Sequence, residues 1–230
     1  VQAGTADALG SIIFRKLKPG SGYRVRASAT QEEVGPVTVM SVEGSQPPQS
    51  HYSQQKLEAG FNYITTRDGT TLAAYVTLPG PVGQGPYPTV VNYSGYSPAK
   101  PGEPLGDYAA LCEALPILCD APTDSSALVA GLMGFATVGV NMRGTGCSGG
   151  AYDFFETNQL LDGYDLIETI AAQDWVLGNR VAMTGLSYPG ISQLFVAKTH
   201  PPSLVAITPL SVICNAYTTM VPGGILNDGF

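Results

Sequence analysis

The stretch "TGLSYPGISQ", Thr184 to Gln193, combines residue types at a spacing that could do chemistry. Ser187 follows the apolar run "NRVAM" and precedes "ISQLFVAKTH", so a strand should deliver it and a helix should leave it. At such a turn the hydroxyl stands at the carboxyl end of the strand, where it can act as a nucleophile. The turn is cramped and needs small neighbours, and Gly185 lies two residues before the serine. A second glycine at 189 would complete the usual G-x-S-x-G pattern. Here Pro189 takes that place and glycine follows at 190. Proline in a first helical turn loses no hydrogen bond, but it disfavours the helical region for the residue before it. Tyr188 is therefore expected outside the helix. The competing reading is a tight strand-to-helix turn that happens to contain a serine.

The elements that would position this serine can be traced along the chain. "FNYITT", the turn "RDGT" and "LAAYVTLPG" predict an antiparallel hairpin, since Asp68-Gly69 suits a tight turn. "YPTVVNYSG" and "GFATVGVNMRG" predict buried strands, and "ALVAGLMGFATVGV" reads as a helix end, a turn and a strand. In "NQLLDGYDLIETIAAQDWV" the apolar residues Leu160, Leu161, Tyr164, Ile167, Ile170 and Ala171 recur at helical spacing. "NRVAMTGLS" predicts a strand, "ISQLFVAKTH" a helix, and "LVAITPLSVI" a last strand buried on both faces. Strands alternating with helices imply a mostly parallel sheet with helices on both faces, an α/β fold. Residues 1–50 differ. "SGYRVRASA" and "GPVTVMSVEG" alternate like short strands and predict a small β appendage, which "GSQPPQSHYSQQ" links to a larger unit over 51–230.

Several of these segments occur together in a known family. "VNMRGTGCSGG", "LDGYDLIETIAAQDWV" and "NRVAMTGLSYPGISQ", preceded by "YITTRDGTTLAAYVTLPG", resemble the X-Pro dipeptidyl-peptidase and cocaine-esterase-like (CocE/NonD) serine hydrolases. "GLSYPG" matches the family's G-x-S-Y-x-G turn, and Arg143 to Gly150 matches its RGxGxSxG loop. Asn141 departs from the aspartate that many relatives carry at that position. The resemblance covers residues 60 to 230. It implies an α/β-hydrolase core and attack of Ser187 on an acyl bond, in an X-Pro dipeptide, an amide or an ester. It also implies two donors for the oxyanion of the tetrahedral intermediate: the backbone N–H of Tyr188 and a tyrosine hydroxyl from "NYSGYSP". Tyr96 fits the second role best and Tyr93 less well. Each such donor contributes about 3 kcal/mol. "RGTGCSGG" lacks the ending of a phosphate-binding loop and is read as a tight turn at the rim of the site. Trp175 is read as core beneath the strand that leads to Ser187.

A serine nucleophile needs a base, and the chain has only His51 and His200. If a helix follows Ser187, its rise carries His200 about 18 Å away, whereas a base must stand about 3 Å from the hydroxyl. His200 is expected at a helix C-terminus, where its charge suits the dipole. His51 is expected as a solvated histidine of the linker. In α/β-hydrolases the order along the chain is serine, acid, histidine. Asp228 follows Ser187 too soon to be the acid. Both partners are expected beyond Phe230, which makes this the amino-terminal part of an incomplete hydrolase fold. The alternative is a non-catalytic protein that keeps the fold without a triad.

Composition excludes other classes. The chain is 44% hydrophobic and 13% charged, which suits a globular fold. Its net charge of −7 argues against a nucleic-acid surface. No apolar run reaches the roughly 18 residues of a membrane span. The expected partner is a small molecule or peptide substrate. No CxxC or Cys/His spacing suggests a metal, and no cofactor is expected. Cys112, Cys119, Cys147 and Cys214 could pair in three ways, with Cys112 and Cys119 the nearest in sequence. An even cysteine count and few lysines are compatible with export or a cell-envelope location, with the cytoplasm as the alternative.

Overall fold

In the computed structural model, residues 1–8, 10–99, 124–213 and 215–226 are described. Cys112, Cys119, Cys214 and Asp228 lie outside them, as does the expected Cys112–Cys119 pairing. Cys147 is exposed with a free thiol.

The sheet grows from two kinds of strand. β3 (Gly60–Thr65) and β4 (Thr71–Thr77) form the expected antiparallel hairpin. Its turn closes through Gly69 N–H on Thr66 O (2.9 Å), with Gly69 at φ +85°. β5 (Tyr87–Ser94), β6 (Ala136–Asn141), β7 (Val176–Leu186) and β8 (Leu204–Leu210) complete a six-stranded sheet in the order β3-β4-β6-β5-β7-β8. β4 runs antiparallel to β6, while β6, β5, β7 and β8 are mutually parallel neighbours. β1 (Gly20–Arg26) and β2 (Glu33–Val39) form a separate antiparallel pair near the N-terminus.

Side chains alternate across a strand, and β6 shows what each face carries. Ala136, Val138 and Val140 join a core with Leu166, Ile167 and Ile170 of helix α3 (Thr157–Ala171). Gly139 faces the other way, where a Cβ would run into Pro98 O. Helix α2 (Ser125–Leu132) packs on β5, β6 and β7, and α4 (Tyr188–Ala197) packs on β5, β7, β8 and α3. Trp175 is buried at the start of β7 and donates its ring N–H to Leu57 O (2.9 Å). A short helix, α5 (Ala216–Met220), follows β8.

Four expectations are corrected. The segment expected as a linker contains a short helix, α1 (Gln49–Ser53), because Tyr52 is buried and donates its hydroxyl hydrogen to Asp165 Oδ1 (2.9 Å). His51 is thus half-buried rather than a solvated loop residue, with Nε2 3.1 Å from Thr65 O. β8 is not buried on both faces: it pairs with β7 on one side only among the described residues, and Val205 and Leu210 are exposed. Tyr188 opens α4 instead of preceding it, with Pro189 inside the first turn.

Among the described residues no helix is long and apolar enough to cross a membrane. No cluster of histidine, cysteine or carboxylate side chains among them could hold a metal ion.

Candidate active site

Ser187 sits between the last residue of β7 and the first of α4, exposed, with φ +67° and ψ −118°. A non-glycine residue there carries strain of order 1–3 kcal/mol, which the surroundings must hold in place. Two contacts do so. Ser187 N–H donates to Leu210 O of β8 (2.9 Å), and its carbonyl accepts from Ile191 N–H (2.9 Å) as the first bond of the helix. Its side chain makes no capping bond to the helix backbone, so the hydroxyl is left for other use.

The two glycines have separate reasons. A Cβ on Gly185 would stand 2.5 Å from Pro189 Cβ, and one on Gly190 would strike Leu210 O. Gly185 therefore lets the helix fold back over the strand end, and Gly190 lets β8 approach the helix. The sequence pattern, with glycine at 190 instead of 189, is what this packing requires.

Backbone N–H groups of a first helical turn have no acceptor within their own helix. Tyr188 N–H is the first of these after the serine. The Tyr188 ring turns inward and is nearly buried. It stacks on Phe155 (4.9 Å between centroids), meets Phe154 edge-on (5.6 Å) and lies tilted against Tyr96 (5.6 Å). Its hydroxyl is 3.1 Å from that of Tyr152. Burial and that hydrogen bond raise the Tyr188 pKa well above the ordinary phenol value, so the phenol stays neutral. The sequence reading missed Tyr152, Phe154 and Phe155. The run "AYDFFE" directly after a glycine-rich turn was their available signal.

The two tyrosines considered for an oxyanion donor separate clearly. Tyr93 is fully buried and donates its hydroxyl to Gln159 O (3.0 Å). Tyr96 is exposed, and its ring lies against Tyr188, next in the chain to Ser187. The backbone of Tyr96 is gripped at both ends: its N–H donates to Ser94 Oγ (3.3 Å) and its carbonyl accepts from Asn141 Nδ2 (2.8 Å).

Neither histidine reaches the serine. His200 follows α4 at its far end, exposed. His51 stands beside β3, and β3 is four strand steps from β7, about 19 Å at the usual strand spacing. A carboxylate that sequence reasoning did not single out does touch the turn. Asp124 caps α2, accepting from Ser126 N–H (2.9 Å) and Ala127 N–H (3.2 Å), and its other oxygen accepts from Leu186 N–H (3.3 Å). Asp before Ser-Ser-Ala-Leu is a readable N-cap signal.

"RGTGCSGG" folds as a tight turn held from beneath. Gly144 N–H donates to Gly149 O (2.8 Å), and a Cβ at Gly144, where φ is +70°, would overlap Tyr152 N. Arg143 is buried and grips Asp162 of α3 with two bonds, Nε to Oδ2 (2.7 Å) and Nη2 to Oδ1 (2.5 Å). Its third nitrogen reaches Asp68 Oδ2 (3.0 Å) in the β3–β4 turn. One helical turn on, Asp165 takes Arg67 in the same way (2.8–3.2 Å). The "DGYD" of α3 is thus a pair of ion-pair anchors, spaced i, i+3 on one helix face.

A mostly parallel sheet covered by helices, with a serine at a strained strand-to-helix turn, defines an α/β-hydrolase fold. The family model of the X-Pro dipeptidyl-peptidases (S15 family) matches residues 68–230, and the chain belongs to that family. Among solved structures the chain is similar to a CocE/NonD family hydrolase from Staphylococcus aureus, at 23% identity and a TM-score of 0.51, over 69% of this chain and 32% of that one. It is similar to an aminopeptidase from the marine sediment archaeon Thaumarchaeota archaeon, at 18% identity and a TM-score of 0.56, over 75% and 28% of the two chains. An α-amino acid ester hydrolase matches at 23% identity and a TM-score of 0.52, over 65% and 24%. The chain spans a third or less of the length of these solved relatives. No curated protein matches the sequence.

Proposed function

We propose that this chain carries the nucleophile and oxyanion half of a serine hydrolase that cleaves an acyl bond in a peptide, amide or ester. The observation that carries the reading is the conformation of Ser187, a strained, exposed serine at the strand end, with the first-turn N–H of Tyr188 beside it. In the reaction, Ser187 Oγ attacks the substrate carbonyl and its proton passes to a base. The carbonyl oxygen becomes an oxyanion that takes hydrogen bonds from Tyr188 N–H and the Tyr96 hydroxyl. Collapse releases the protonated leaving group and leaves an acyl-enzyme, which water then hydrolyses. Asn141, Arg143 and the aromatic group around Tyr188 shape the site without entering these steps.

The triad acid and base are assigned to segments following Phe230 in the full-length protein. The support is the placement of His51 and His200, both remote from Ser187. The test uses the full-length protein with an ester, p-nitrophenyl butyrate, and a dipeptide amide, Ala-Pro-p-nitroanilide. Ser187→Ala should lower hydrolysis of whichever is cleaved by about 10⁴-fold or more. Hydrolysis that survives this change in a folded protein would transfer the nucleophile elsewhere.

A further inference from the structure

We infer that Asn141 is a positioning residue for the oxyanion hole: its side-chain amide fixes the backbone that aims the Tyr96 hydroxyl. This rests on the reading of Tyr96 as a donor and adds the group that sets its direction.

Asn141 is the last residue of β6 and is buried. Its side chain makes three hydrogen bonds, two to the backbone of the loop after β5 and one to the Thr145 hydroxyl. Nδ2 donates to Tyr96 O (2.8 Å) and to Thr145 Oγ1 (3.2 Å), while Oδ1 accepts from Ala99 N–H (3.1 Å). The orientation of the amide follows from its partners. Tyr96 O can only accept and Ala99 N–H can only donate. Thr145 spends its own hydroxyl hydrogen on Met142 O (2.8 Å), so towards Asn141 it accepts. Both amide hydrogens are used. Room for this group comes from Gly146, where a Cβ would stand 2.6 Å from Nδ2.

Among the described residues the Tyr96 ring contacts that of Tyr188, and Tyr96 is exposed. Its direction is therefore set chiefly by its backbone, which among the described residues is held by Ser94 Oγ on the N–H and Asn141 Nδ2 on the carbonyl. The neighbouring strand ends are already in register, Ser94 beside Asn141, with Met142 N–H on Ser94 O (2.9 Å). An aspartate at 141 would be nearly the same size but would have no hydrogen for Tyr96 O. In this loop it would set a carboxylate oxygen against a carbonyl oxygen, so a relative with aspartate at this place must hold the loop through other contacts. The loop would then shift by a fraction of an ångström or more, and an oxyanion donor works only when it is aimed at the developing charge.

The experiment is a double-mutant cycle in the full-length protein, read as kcat and KM on the substrate it cleaves. Asn141→Asp should lower kcat by about 10–100-fold, the scale of a misplaced catalytic group, with KM changed little. In a Tyr96→Phe background the same change should leave kcat within about 2-fold, because the hydroxyl it aims is gone. Thr145→Val, which removes the second acceptor of Nδ2, should give a smaller loss that also vanishes in that background, and it reads the same coupling if Asn141→Asp does not fold. An equal loss of kcat in both backgrounds would reduce Asn141 to a structural role and overturn the inference. So would an unchanged kcat in Asn141→Asp when Tyr96→Phe alone is impaired. An unimpaired Tyr96→Phe would remove the donor reading itself, and with it any role for Asn141 through Tyr96.

Discussion

Tyr96 and Ser187 differ in what holds them, and their substitutions should differ accordingly. Tyr96→Phe keeps the ring against Tyr188 and removes only the hydroxyl. It should lower kcat by about 100-fold or more with stability nearly unchanged, as steady-state kinetics beside a thermal melt would read. An unchanged kcat would leave Tyr96 as a packing residue. Gly190→Ala tests the other kind of constraint. The added methyl group has Leu210 O in its path, so α4 and β8 must separate, and the Ser187 N–H bond to that same carbonyl goes with them. Stability should fall by about 1–3 kcal/mol, the range for an overpacked site, and the serine should become less reactive. Equal stability in urea would mean that β8 yields without cost.

At the scale of elements, α3 is bolted to the β3–β4 turn by Arg67–Asp165 and to the turn after β6 by Arg143–Asp162, with Asp68 of the β3–β4 turn as the second partner of Arg143. Arg143→Ala would leave Asp162 buried without its cation, at a cost of about 3–5 kcal/mol. Equilibrium unfolding reads this directly, and a loss below about 1 kcal/mol would contradict the assignment. Asp68 gives the pH dependence. Burial pushes its carboxyl up, but the Arg143 guanidinium and the hydrogen bonds from Thr70 and Thr66 outweigh this and hold it at about 2. The folded value lies below the ordinary 3.8. Its stabilisation is therefore present above pH 4 and is lost as pH falls from about 4 towards about 2. Asp68→Asn should flatten that part of the acid unfolding curve, and a curve of unaltered slope there would show that Asp68 is not the group. These elements were legible in the sequence to different degrees. Buried strands β5 and β6, the hairpin and α3 were readable because each carries a strong periodic or apolar signal. The ion pairs were not, since Asp162 and Asp165 look like the polar face of an amphipathic helix until the hairpin turn is brought to them. The α1 segment was missed because its Pro-, Gln- and Ser-rich composition is that of a linker, and only the burial of Tyr52 against Asp165 makes it part of the fold.

For the whole molecule, β8 decides how the chain behaves on its own. The apolar run from Leu204 suggested a strand covered on both sides. Yet Val205 and Leu210 are exposed, and β8 has one partner strand among the described residues. An open, apolar strand edge is a template for pairing with other chains. Residues 1–230 expressed alone should therefore bind a hydrophobic dye or elute as an aggregate in size-exclusion chromatography. With His51 and His200 both remote from Ser187, that protein should also show no Ser187-dependent turnover. A monodisperse sample with saturable esterase kinetics would contradict both expectations.

The central claim is that Ser187 is the residue acylated during turnover. It is tested most directly by treating the full-length protein with a fluorophosphonate and locating the adduct by peptide mass spectrometry. The account predicts a single phosphonylated residue, Ser187, at a stoichiometry that tracks loss of activity. An adduct on another residue, or none in a folded protein that still hydrolyses its substrate, would contradict it.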